Sequence, residues 1–419
     1  MSTQQQPLNI AIVGAGIAGL AAAIALRRNG HIVQIYESDK YKTEIGAGLG
    51  VTVNAQRVLE ELGYTRENLK GVVNEGALQF DGGNDGEGEL TPWLLESLKN
   101  TAKPQNILCA RTDLHAELER LALGDGAGPP AVLHLSSTVL KCDPEAGSLT
   151  LSDGTVVQSD LILGADGIAS SVRTDIVGHH VRPMASGLTC YRAVIEAAQL
   201  EGSEGLEWLN EGTSGPRSVR MKVGGLLRGL IIYPCRNGTL FNVVGVFMDL
   251  HQDDPDWKAS GTRAEVQQFF ADFHGRYQPV FAAFPEQVPK WRMLTLPHLP
   301  TWVRARAALV GDAAHGTLPM FGQGAALAIE DAAALRALLP PGTAPADVPA
   351  RLAAYEALRK PRCDYVVRES VMGPNKAKWY PSRDGDIVFA SPEEQQAYLM
   401  EYDATKVAEE YYRENFGQK

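Results

Sequence analysis

Leu8-Asn9-Ile10-Ala11-Ile12-Val13-Gly14-Ala15-Gly16-Ile17-Ala18-Gly19 passes from an apolar stretch into a GxGxxG turn, and an alanine-rich stretch continues to Arg28. This pattern predicts a short buried strand over 8–13 and a helix to Arg28. In a strand, turn and helix setting the glycines have separate uses. Gly14 permits the tight turn, Gly16 lets a pyrophosphate approach the backbone, and Gly19 lets helix and strand pack closely. The helix start offers free N–H groups and a positive dipole to phosphate. Gly30 closes the helix, His31 to Tyr36 reads as a second strand, and Glu37 ends it, eighteen residues after Gly19. A carboxylate there can accept both hydroxyls of an adenosine ribose. The motif predicts a dinucleotide site and leaves FAD and NAD open.

The charge-free run from Leu8 to Leu26 is long enough to suggest a membrane span or a signal sequence. Its change from β-branched to alanine-rich composition, with no Lys or Arg ahead of it, favours the strand and helix of a soluble protein. Across 419 residues, 39 Lys+Arg stand against 50 Asp+Glu, a formal charge of −11, which disfavours nucleic acid as a partner. Cys109, Cys142, Cys190, Cys235 and Cys363 form neither a disulfide framework nor a zinc spacing, and the histidines show no HExxH. These features predict a reduced, metal-free protein of the cytoplasm.

Two later segments narrow the cofactor. Thr155 to Leu163 reads as a strand running into Gly164-Ala165-Asp166-Gly167-Ile168-Ala169-Ser170-Ser171-Val172-Arg173, where Asp166 is either a ligand-binding acid or the N-cap of a helix starting near Ser170. Ala307 to Val310 reads as a buried strand delivering Gly311-Asp312-Ala313-Ala314-His315, with a glycine-containing loop before a helix that starts near Gln323 to Ala326. That second helix start could hold developing negative charge, such as the N1–C2=O region of a reduced flavin. His315 reads first as a structural histidine, with catalysis as the alternative.

These three motifs, in this order, resemble the single-component FAD-dependent aromatic hydroxylases, the salicylate hydroxylase-like flavoprotein monooxygenases. Within that group the chain looks like fungal enzymes that act on phenols and polyketides, and the resemblance spans about residues 8 to 370. It implies an α/β (α+β) fold: a Rossmann-like FAD-binding domain, an antiparallel β-sheet substrate domain and C-terminal helices. The implied division is 1–180, with a substrate-side excursion near 75–105, then 181–297 for the substrate sheet, 298–370 for the second part of the FAD domain, and 371–419 for a helical segment.

The resemblance also implies roles. Gly14, Gly16 and Gly19 would lie under the FAD pyrophosphate, and Glu37 would hold the ribose. Gly50, in Gly46-Ala47-Gly48-Leu49-Gly50, would pass close to the cofactor. Arg111, which matches the family's Arg-x-Asp-Leu helix start, would reach the ribityl or phosphate region. Asp312 would bind the ribityl chain, Gly324 and Ala325 would offer N–H groups to the ring, and Asp166 would serve FAD and NAD(P)H. One departure is plain: the family usually has Pro directly after the His of the third motif, whereas here Gly316 follows and the proline is Pro319.

Between Val181 and Pro297 the segments Leu188 to Ile195, Ser218 to Tyr233 and Leu240 to Met248 alternate as antiparallel strands do. Arg192 and Tyr233 stand out there. From the residues alone they read as a solvent-facing strand Arg and a core Tyr. The resemblance favours a pair facing the flavin, with the guanidinium holding a substrate phenolate or carboxylate and the phenol sharing its proton. Tyr191 falls on the opposite face of its strand. The implied reaction is hydroxylation of an electron-rich aromatic compound by NAD(P)H, O2 and a flavin C4a-hydroperoxide. The rival reading is a flavin- or NAD-binding regulatory protein without turnover. Substrate, regiochemistry and oligomeric state stay open.

Overall fold

The computed structural model describes residues 6–40, 47–83, 89–90, 105–202, 205–223, 226–249, 258–372 and 374–417. Gly46 and most of the excursion near 75–105 lie outside them. Asn9–Val13, Ile32–Tyr36, Leu161–Gly164, Ala307–Leu309 and Val132–His134 build the parallel part of a six-stranded sheet, with Val303–Arg304 antiparallel at one edge. Strands buried on both faces read as continuous apolar runs, and Leu161, Ile162 and Leu163 are fully buried. The helix Ile17–Arg28 is buried nearly all round, between the helices Arg111–Leu123 and Gly324–Leu338. Its alanines permit that close packing, and its apolar surface on every side requires it.

A second sheet of eight strands runs Lys258–Thr262, Gln287–Thr295, Met184–Glu196, Leu240–Met248, Leu226–Cys235, Arg217–Val223, Leu78–Asp81 and Glu89–Leu90. Alternation divides its two faces. Tyr191, Ala193, Phe241, Val243, Phe247, Leu230 and Ile232 join Phe270, Phe273, Phe281 and Phe284 in an aromatic core beneath the sheet. Arg192, Tyr233 and Asn242 alternate with these residues and therefore take the other face.

Two segments read as single strands are divided. Ser218 to Tyr233 is a pair, Arg217–Val223 and Leu226–Cys235, with Gly224-Gly225 between them in sequence. Thr155 to Leu163 splits into Val156–Gln158, in a three-stranded meander, and Leu161–Gly164 in the parallel sheet. The helix expected near Ser170 begins at Val172. Near the C-terminus Ser391 accepts the Glu394 N–H and Pro392 opens a helix ending at Glu401. The Glu394 carboxylate bonds the N–H of Ala390 rather than that of Ser391. The chain then forms the helix Ala404–Asn415. Among the described residues, no helix is long and apolar enough to cross a membrane, and all five cysteines are free and buried.

Candidate active site

The parallel strands Asn9–Val13, Ile32–Tyr36, Leu161–Gly164 and Ala307–Leu309 lie side by side, so the residues following their C-terminal ends share one edge. Gly14 to Gly19, Glu37, Asp166 and Asp312 meet there, the edge where open α/β sheets bind ligands. The three motifs also touch one another. Gly14 has φ +101°, and a Cβ on it would stand 2.5 Å from the Ala165 carbonyl oxygen. A Cβ on Gly19 would stand 2.0 Å from the Gly14 oxygen, and one on Gly311, φ +60°, 2.6 Å from Ala18 Cβ. Gly16 differs: a Cβ there would meet nothing within 4 Å. Local packing explains Gly14, Gly19 and Gly311, but not Gly16.

Glu37 Oε2 accepts the Ala15 N–H at 2.8 Å, and its Oε1 accepts from Ser38 and Asp39. Asp166 fulfils the cap reading with one oxygen: Oδ2 accepts the N–H groups of Ser171 and Val172 at 2.8 and 3.2 Å. Its Oδ1 is buried and has no partner among the described residues. Buried acceptors left unpaired are costly, so this oxygen is available to a ligand. Asp312 is exposed at the start of the short helix Asp312–His315. Gly324 and Ala325 open the helix Gly324–Leu338 and are partly exposed, and the first-turn N–H groups of a helix have no partner within it.

A smaller sheet brings the remaining residues in. Gly48–Val51 pairs with Ile107–Ala110, and the helix Arg111–Leu123 starts directly after that strand. The Arg111 N–H donates to the Ala47 carbonyl at 2.7 Å. One turn on, His115 Nε2 lies 2.8 Å from the Ala15 carbonyl of the glycine turn. Gly50 faces open space, whereas a Cβ on Gly48 would stand 2.5 Å from the Tyr233 ring and 2.6 Å from Asn242 Cβ. The Gly48 N–H donates to Asn242 Oδ1 at 2.7 Å, which ties the glycine-rich strand to the eight-stranded sheet.

On that sheet Tyr233 sits opposite Asn242, and Arg192 opposite Val244. The Arg192 guanidinium lies 4.9 Å from the Trp291 ring centre, and its Nε is buried without a partner among the described residues. Burial pushes the Tyr233 phenol well above its ordinary pKa, while the charge of Arg192 pulls in the opposite direction. The phenol is therefore a neutral donor at physiological pH. Arg192 is half-buried, and among the described residues it makes no ion pair, so its guanidinium has donor capacity to spare.

The sequence profile described as FAD binding domain matches residues 8–370. The chain belongs to this family. Hispidin-3-hydroxylase of Neonothopanus nambi is 40% identical over 382 residues, 88% of this chain and 89% of that protein. The FAD-dependent monooxygenase cfoG of Aspergillus candidus is 34% identical, with 87% and 85% covered. Among solved structures, CtdE in complex with FAD and substrate 4 superposes with a TM-score of 0.77 at 22% identity, over 97% of this chain and 98% of that one. The chain is an FAD-dependent monooxygenase. The residues above fit that cofactor: the open approach at Gly16 and Gly50, the unpaired Asp166 oxygen and the second helix start are features a bound dinucleotide explains.

Several structural partners of these motifs escaped sequence reading. His115 holds the glycine turn. Arg173, 1% exposed, donates to the carbonyls of Ile168 and Ala313 and so ties the second motif to the third. His315 has the structural role: its Nε2 bonds Asp331 Oδ2 at 2.7 Å, and that same oxygen accepts the Gly311 N–H. Asp331 also pairs with Arg359, while Glu330 pairs with Arg359 and, through two bonds of 2.8 Å, with Arg362. His315, Asp331 and Cys363 could be taken for a metal trio, their ligand atoms lying within 4.8 Å. Arg359 bonds both Asp331 and Cys363, so a fixed cation already answers this acid. The sequence signal was a Glu-Asp pair inside a helix whose one other charge is Arg336.

This network sets an acid limit. Burial alone would raise the Glu330 and Asp331 carboxyls. Arg362 and Arg359 outweigh it for Glu330, and His315 and Arg359 for Asp331, so both sit below their ordinary values. The stability such depressed groups contribute is complete above the ordinary carboxylate range and is lost as pH falls through the folded values. Thermal unfolding followed by circular dichroism is expected to show this contribution intact at pH 6–8 and falling away progressively from about pH 4 downward. A melting temperature unchanged to pH 3 would contradict it.

Proposed function

We propose that this chain hydroxylates an electron-rich aromatic compound, phenolic or an aromatic acid, polyketides included, using FAD, NAD(P)H and O2. The observation that carries the reading is the half-buried Arg192, its Nε without a partner among the described residues, on the same sheet face as the neutral Tyr233 phenol and opposite the aromatic core. The names of the relatives support it, since hispidin-3-hydroxylase and salicylate hydroxylase stand among them. A reduced cytoplasm is the proposed setting, supported by free, buried cysteines.

In this reading Gly14, Gly16 and Gly19 admit the pyrophosphate to the helix start, and Glu37 holds the ribose. Asp166 Oδ1 and Asp312 take hydroxyl groups, Arg111 takes the ribityl or phosphate region, Gly50 leaves room for the ring, and Gly324 and Ala325 direct N–H groups at it. When bound and reduced, FAD would activate O2, one atom of which is transferred to the substrate ring while the other leaves as water. Arg192 donates its free N–H to a phenolate, favouring the anion that enriches the ring ortho and para to it, or to a carboxylate, which it holds in place. Tyr233 donates its phenolic proton as a hydrogen bond to the same region, and the apolar residues around it keep water out.

The decisive experiment begins with the visible spectrum of the purified protein. NADPH is then added without oxygen, with and without a panel of phenols and aromatic acids. Flavin bleaching accelerated by a panel member, with hydroxylated product once air is admitted, is the expected result. Flavin that binds but never turns over with any member would favour a regulatory role. Two glycine variants test the cofactor cradle. Gly19→Ala is expected to cost about 1–3 kcal/mol of stability, because its Cβ meets the Gly14 carbonyl. Gly16→Ala meets no protein atom, and is expected to leave the melting temperature of the apoprotein unchanged while weakening FAD binding in a fluorescence titration. Unchanged FAD affinity in Gly16→Ala would remove that residue from the cradle.

A further inference from the structure

We infer that Asn54 is a positioning residue for the start of the helix Gly324–Leu338, and that the C-terminal helix Pro392–Glu401 is joined to that start through the same clamp. The inference rests on the reading that FAD takes up the first-turn N–H groups of Gly324 and Ala325. Asn54 is 1% exposed, and its Nδ2 donates twice, to Gln323 Oε1 at 3.0 Å and to Glu330 Oε1 at 2.7 Å. Gln323 immediately precedes the helix and Glu330 lies seven residues on, two turns along the same face. One amide thus staples the helix entrance to a buried carboxylate.

That carboxylate is a firm anchor, because Arg362 grips both its oxygens. Arg362 in turn donates to the carbonyls of Tyr398 and Leu399 at 2.9 and 3.0 Å. Gln323 Nε2 lies 3.9 Å from Met400 Sδ. Residues 398–400 therefore touch both ends of the clamp. At its other end Asn54 belongs to the helix Val53–Glu61, which follows the strand Gly48–Val51 after one residue. The two backbone segments proposed to flank the flavin, near Gly50 and near Gly324, are thus held together by this side chain. A leucine of similar volume would fill the space, but it would leave the Gln323 oxygen buried without a donor.

The test uses the full chain with FAD and compares wild type, Asn54→Leu, Gln323→Met and the double variant. Uptake of FAD by the wild type, measured first, tests the underlying reading, and its failure overturns that reading and the inference together. Each single variant is expected to bind FAD about 5-fold more weakly, the scale of one lost hydrogen bond. Each is also expected to lower the midpoint potential of the bound flavin, because a loosened helix end stabilises the reduced anion less. The double variant is expected to lose no more than either single one, since one clamp is broken in all three. Wild-type affinity and potential in Asn54→Leu would overturn the inference, as would single effects that multiply in the double variant. Circular dichroism checks folding. Should Asn54→Leu fail to fold, Asn54→Ser, which shortens the amide out of reach, takes its place under the same criteria.

Discussion

Arg192→Leu is expected to keep its FAD and lose hydroxylation by about 100- to 1000-fold in kcat/KM, from two charge-assisted hydrogen bonds each worth about 1.5–3 kcal/mol. The Arg192 Nε is buried without a partner among the described residues and the guanidinium lies over Trp291, so in the proposed reading its bonding capacity serves the substrate. Folding should survive the change, because among the described residues no carboxylate is left unpaired by it. Arg192→Lys keeps charge but loses the planar fork and its stacking on Trp291, and is expected to recover only part of the activity. Tyr233→Phe should fall less than Arg192→Leu, since a neutral hydrogen bond is worth less than a charge-assisted one. Product formation measured by chromatography, with flavin content measured on the same samples, separates these outcomes. An Arg192→Leu enzyme of full activity would remove Arg192 from the reaction.

Glu330→Ala carries the largest expected cost in stability, about 3–5 kcal/mol, because it leaves the buried Arg362 without a carboxylate and takes from Arg359 one of its two. Arg359 and Arg362 are 0% and 1% exposed, and each pairs with Glu330. Asn54 loses an acceptor in the same step. Urea unfolding of the holoprotein reads the loss. A second variant separates uncompensated charge from lost volume. Glu330→Met with Arg362→Met removes an ion pair together rather than half of it, and is expected to be less damaging than Glu330→Ala alone. If the double variant were the less stable of the two, stranded charge would not be the cause.

The parallel sheet was legible because its signals are local. An apolar run, a glycine turn and an amphipathic or alanine-rich helix lie within thirty residues of one another, and each constrains the next through backbone geometry. The same holds for Asp166, whose capping of the helix at Val172 is a relation over five or six residues. Arg192 and Tyr233 were singled out because a charged or phenolic side chain interrupts apolar alternation. Their common face then follows from the period of two once the register through Asn242 and Val244 is known. The division of Ser218 to Tyr233 into two strands is accompanied by a change of phase, the core face taking Arg217 and Val219 on the first strand and Leu230 and Ile232 on the second.

The supports of the site were not legible, because their partners are remote in the chain. His115 meets Ala15 across 100 residues, Arg173 meets Ala313 across 140, and Asn54 meets Gln323 across 269. No short-range pattern distinguishes a buried Asn that staples a helix from one that caps a turn. The amino-acid sequence by itself determined the dinucleotide-binding strand and helix, the order of the three motifs and the alternating sheet, since periodicity and glycine spacing act through neighbouring residues. Only the tertiary structure decided that His315 is structural, that one oxygen of Asp166 is free, and that Glu330 and Asp331 pair with Arg359 and Arg362. Those outcomes depend on which desolvated charge finds which partner, and burial of that kind exists only once distant segments have packed.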